Sequence, residues 1–229
     1  MGFLKRILRS TGPEGAIRQN TANSFEQLGD EELQAHMGID RYGVFDLTDA
    51  IRPSYDLQVI PRQGYRHDHY QDENSGERIP VLMAAATRDS LIDTFLEMID
   101  QLGPVVDVVL ESSHHGGSGH RDFYREHIDL PVLKSVLVEF EDLLLNDGCC
   151  GVAVVNPRRR QEVQFDEHKL LIAYGNPLEP FEEIFIGNDV YPTPDIRFLT
   201  EAEHVHSSSE RFVREFEVLR SRLGMDAEY

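Results

Sequence analysis

Apolar positions along the chain follow two rhythms. IPVLMAAA (79–86), VVDVVL (105–110) and GVAVV (151–155) are short, continuous apolar runs, the pattern of strands covered on both faces. Between the first two, Leu91, Ile92, Phe95, Leu96, Ile99 and Leu102 recur at helical spacing until Gly103-Pro104 stops the stripe. A second helix begins at Pro131, lines up Leu133, Val136, Leu137, Phe140, Leu143 and Leu144, and ends at Gly148.

The flanks are less regular. Ser24 and Gln27 have capping-box spacing and open a short helix through about His36. Over 38–70 no period holds, although Leu57 to Ile60 reads as extended and Gly64 to Tyr70 as strand or loop. After a polar turn at Asn156 to Arg160, EVQF (162–165) alternates like a partly exposed strand and HKLLIAY (168–174) follows as another. A helix over Leu178 to Phe185 and a short strand over Ile196 to Leu199 come next. Ser207 and Glu210 form a second capping box, opening a final helix that turns Phe212, Phe216, Leu219 and Leu223 inward and closes at Gly224.

Strand–helix–strand–helix–strand is the order of parallel pairing with crossovers. The expected fold class is therefore α/β to α+β: a mixed sheet with a parallel core (79–86, 105–110, 151–155, 196–199), an antiparallel meander (151–174), and helices packed on the sheet. Residues 1–23 form a basic amphipathic segment and linker, and 24–229 a single α/β domain.

That topology would bring the loops Thr87–Asp89, Ser112–Asp122, Asn156–Arg160 and Thr200–Ser207 to one carboxyl edge, where open α/β sheets bind ligands. Their residues suit an anion: Arg88, His114, His115, Arg158, Arg160, His204 and His206, with helix amino termini near Asp89 and Ser207 adding N–H groups. They also suit a divalent metal, on Glu111, His114, His115, His204 and His206, with Glu111 or Asp89 as a base. The plain alternative is that loops simply carry charge. His67-Asp68-His69 is a further cluster, placed by its turn at the opposite edge.

Motifs narrow this little. No HExxH, spaced cysteine pair, calcium loop, Walker pattern or dinucleotide fingerprint occurs. His115-Gly116-Gly117 is similar to the oxyanion loop of lipase-like hydrolases, but the Gly-x-Ser-x-Gly elbow those enzymes need is absent.

A formal net charge of -19 excludes general nucleic-acid binding and disfavours anionic membranes. The adjacent Cys149 and Cys150 cannot readily pair with each other and suit a reducing, cytoplasmic setting. No run is long enough to span a bilayer, and surface membrane contact rests on Phe3 to Leu8 alone. The leading expectation is a non-catalytic module binding a protein partner, with no cofactor. The alternative is an anion-binding or metal-dependent hydrolase with its site at the carboxyl edge.

Overall fold

A computed structural model describes residues 24–26, 28–71, 76–114 and 120–225. The expectations for Phe3 to Leu8, Gln27 and His115 lie outside these residues.

Helix α1 (Asp30–Met37) precedes a small ribbon of β1 (Arg41–Tyr42) and β2 (Phe45–Asp46), then β3 (Ile51–Pro53). Strands β4 (Gly64–Gln71) and β5 (Arg78–Ala85) form a hairpin, and α2 (Arg88–Asp100) leads to β6 (Val105–Ser112) and β7 (Arg121–Asp129). Helices α3 (Leu130–Glu139) and α4 (Glu141–Asn146) precede the meander β8 (Cys150–Asn156), β9 (Gln161–Phe165) and β10 (Leu171–Tyr174). Helix α5 (Glu179–Gly187), strand β11 (His204–His206) and helix α6 (Glu210–Arg222) complete the chain.

The seven-stranded sheet runs in the order β4-β5-β10-β9-β8-β6-β7, and every neighbouring pair is antiparallel. The expected parallel core is therefore wrong. Strands β5 and β6 do point the same way, but β10, β9 and β8 stand between them. The overlooked element is β7, whose exposed, charged sequence RDFYREHID hid a strand. That additional pass through the sheet reverses β8 relative to β6. A continuous apolar run reports cover on both faces, and both faces are covered here; it carries no information about direction.

One face packs under the helices, around Phe95, Met98, Leu137, Leu143, Phe181 and Phe216. The other carries Val81, Val109, Ala153, Val155 and Ile172, with Ile196 and Phe198 packed against them. Residues 196–199 thus cover the sheet without joining it, contrary to the expected short strand. EVQF is fully buried rather than half-exposed, for the same reason.

Three helix boundaries also differ. Helix α1 begins at Asp30, after Gly29, rather than at the expected Ser24 capping box. The expected helix from Pro131 breaks at Phe140, where φ -108 and ψ 24 depart from helical values. The last helix is capped by Ser209, whose Oγ accepts from the Phe212 N–H at 3.3 Å, two residues later than the expected cap. No helix of the described residues is long and apolar enough to cross a membrane.

Reversal of β8 moves the loops. Asn156 to Arg160 lies at the far edge, where Arg159 donates to the Gln101 carbonyl at 2.5 Å and Arg160 pairs with Glu77 at 2.7 Å. The near edge gathers the ends of β5 and β6, the start of β8, and the β9–β10 turn. The ribbon of β3 and β11 is tied to that edge through Ser207 and Gly148.

Candidate metal centre

Strand β11 reads EHVHS, so His204 and His206 project to one side and Val205 to the other. Its partner β3 sets His204 opposite Pro53 and His206 opposite Ile51. The next residue is clamped twice: the Ser207 N–H donates to Ala50 O at 2.8 Å, and its carbonyl accepts from the Gly148 N–H at 2.7 Å. A Cβ at Gly148 would run into the Ala50 carbonyl and lie 3.0 Å from both Ser207 N and Ser207 O. Only glycine lets these chains pass so closely.

His168 comes from the β9–β10 turn, FDEHKL. Asp166 organises this turn, its Oδ1 accepting from the N–H groups of His168 at 3.0 Å and Leu170 at 2.8 Å. Lys169 adopts φ 63, and its buried ammonium donates to the Cys150 carbonyl at 3.0 Å.

The three imidazoles meet. Ring centroids lie 4.7 Å apart for His168–His206 and 5.0 Å for the other two pairs. Each ring offers one nitrogen such that the three lie within 4.8 Å of one another. In each ring Nδ1 is occupied. That of His168 bonds Asp166 Oδ2 at 2.9 Å, that of His204 the Ala202 carbonyl at 2.8 Å, and that of His206 the Gly148 carbonyl at 2.5 Å. Carbonyls only accept, so His204 and His206 carry their proton on Nδ1 and present a bare Nε2. The Leu199 backbone is a second hydrogen-bond partner of the His204 ring.

Electrostatics keep this arrangement poised. Burial lowers the pKa values of His204 and His206, aided by the charge of His168. Burial also opposes charge on His168, but Asp166 and then Glu167 outweigh it and raise that pKa. Asp166 itself is held below its ordinary range: burial works against its ionisation, and His168, Leu170 and Lys169 overcome that.

The residues expected from sequence scatter. His204 and His206 join the cluster. His114 does not: its side chain is buried between Ser112 and Asp147. Glu111 approaches Gly151 and lies within the field of Asp122, Asp166 and Glu167, which with burial push its carboxyl up to about 7. Arg88 starts α2 and acts on Asp142, whereas Arg158 and Arg160 sit at the far edge. His67 bonds Glu182 at 2.7 Å, away from the site. Ser113 and His120 do approach the cluster, through Glu167, which accepts from Ser113 Oγ at 2.8 Å and lies 3.9 Å from His120.

His168 is the residue that sequence reasoning missed, because it was placed inside a strand. A signal existed: aspartate two positions before histidine, between two apolar runs, is the spacing of an Asx turn.

Comparison with protein-family models, curated proteins and solved structures found no match to this chain. The reading of the site rests on its own geometry.

Proposed function

We propose that the protein binds one divalent transition-metal ion, zinc in the first place, on Nε2 of His168, His204 and His206. The observation that carries this is the convergence of three imidazoles, each offering one nitrogen within 4.8 Å of the others while its Nδ1 is tethered. Metal-binding histidines are held in this way, the outer nitrogen tethered to a carboxylate or carbonyl while the inner one is presented. Zinc bonds imidazole at about 2.0–2.1 Å, which sets tetrahedral nitrogens roughly 3.3 Å apart. Closing from the 4.8 Å limit asks for side-chain shifts of about 1 Å. Imidazole donors favour zinc, copper, iron or nickel over magnesium and calcium.

Three protein donors leave a tetrahedral ion one position short, the design of catalytic rather than structural zinc sites. An ion there would supply Lewis acidity to water or a bound substrate. Glu167, whose charge acts on His168 and His206 and whose Oε2 accepts from Ser113, is the nearby carboxylate that supports this reading. We therefore assign the site to metal-assisted hydrolysis.

The test is titration of the chelator-stripped protein with Zn2+ and with Co2+, followed by calorimetry and visible absorption. One ion per chain and a tetrahedral Co2+ spectrum are expected, with affinity weakened about 100-fold or more in His204→Ala. Absence of binding, or binding that His168→Ala and His204→Ala leave unchanged, overturns the proposal.

A further inference from the structure

Beside the histidine cluster, and sharing the Asp147–Gly148 turn with it, stands a second arrangement that metal binding does not use. The Gly148 carbonyl orients His206, while the Asp147 carboxylate, fully buried, faces the other way. Asp147 Oδ2 lies 2.6 Å from His114 Nε2, and His114 Nδ1 lies 2.9 Å from Ser112 Oγ. The side chain is 3 % exposed and its ring is set edge-on against Phe216, with centroids 5.3 Å apart.

Proton positions in this chain follow from its ends. Burial opposes charge on Asp147, but hydrogen bonds from His114 and Ser208 hold its carboxyl below the ordinary range. An ionised carboxylate only accepts, so the Nε2 proton stays on His114 and points at it. In the neutral form of the imidazole, Nδ1 is then the acceptor that faces the Ser112 hydroxyl. This is the relation of nucleophile, base and orienting acid that activates serine, with the two ring nitrogens exchanged relative to serine proteases. Ser112 closes β6, is partly exposed, and shares the helix-side face with Phe123, which packs on Phe216 at 5.9 Å.

We propose that Ser112 is a catalytic nucleophile toward carboxylic esters, with His114 as its base and Asp147 as the positioning residue. Ser112 Oγ bonds to the ester carbonyl carbon as its proton passes to His114 Nδ1. That proton leaves with the alcohol oxygen when the C–O bond breaks. Water then attacks the acyl group as one of its protons passes to His114 Nδ1; the bond to Ser112 breaks, His114 returns that proton to Ser112 Oγ, and the carboxylic acid leaves. No oxidant or metal enters the balance, so the activity is separable from the histidine centre.

The experiment treats the full chain with a fluorophosphonate probe and with 4-nitrophenyl acetate, reading intact mass, peptide mapping and ester turnover. A single adduct at Ser112 is expected, lost in Ser112→Ala, with labelling slowed about 100-fold or more in His114→Ala and Asp147→Asn. Should Asp147→Asn fail to fold, Ser112→Cys replaces it. Its alkylation by iodoacetamide should then rise with pH at a midpoint below that of an ordinary thiol. No adduct, an adduct elsewhere, or an ordinary thiol profile overturns the proposal. Labelling should persist after chelation; its loss on metal removal would overturn His114 as the base.

Discussion

At the scale of single residues, the site depends on groups that never touch the ion. Asp166 holds His168 by Nδ1 and builds the turn that presents it. Asp166→Asn is expected to weaken Zn2+ binding by about 10- to 100-fold while leaving the fold cooperative, as calorimetry with a parallel thermal melt would show. Glu162 is a different case. It is fully buried on the β9 face opposite the helices, Oε1 accepts from Gln164 at 2.6 Å, and Oε2 has no partner. Burial pushes its carboxyl up to about 8 from an ordinary 4.5. The folded state then keeps a proton that the unfolded state releases. Stability from this group is complete below pH 4.5 and is lost as pH rises through about 8. Glu162→Gln should therefore raise Tm at pH 8 by about 5 °C and change it little at pH 5. A melt series across that pH range decides it, and equal effects at both ends would refute the buried neutral carboxyl.

Elements set the limits of what the chain reveals locally. Helices α2 and α6 were legible because an apolar stripe and a cap are local signals; Ser209 merely took the cap that Ser207 was expected to hold. Ser209→Ala should cost about 1 kcal/mol in denaturant unfolding, whereas Ser207→Ala should cost less on the helix account alone. Strand β7 was illegible because it is an edge strand, exposed along most of its length, and its residues carry charge where pattern reading seeks alternation. The clamp at Gly148 was equally hidden, since a glycine after a helix ordinarily marks only its end. Gly148→Ala forces a Cβ between the Ala50 carbonyl and Ser207. Destabilisation of about 1–3 kcal/mol is expected, together with weaker metal binding through His206, read by thermal melts and Zn2+ titration.

Across the whole molecule, β3 and β11 form a ribbon separate from the main sheet, and Gly148 links it to the start of β8 through the Ser207 carbonyl and the His206 ring. A metal ion on His168, His204 and His206 would bridge ribbon and sheet. At about 100 times its dissociation constant, such an ion stabilises the folded state by roughly 2.7 kcal/mol. Amide exchange should slow on Zn2+ addition in residues 204–207 and 166–170, with little change at the far edge around Arg158 to Arg160. Uniform protection, or none, would count against the bridge.

The sequence by itself determined where the main helices lie, which apolar runs are buried, and that histidines cluster at 67–69, 114–120 and 204–206. Those properties depend on neighbours within a turn or two, and periodicity reports them. Strand direction was decided only by tertiary structure, because one unread edge strand inverts every element after it. The composition of the site was decided there too. His168 lies 36 residues before His204 in the chain. Only the closure of the β9–β10 hairpin against the Gly148 clamp brings their nitrogens together, and spacing along a sequence holds no record of that closure.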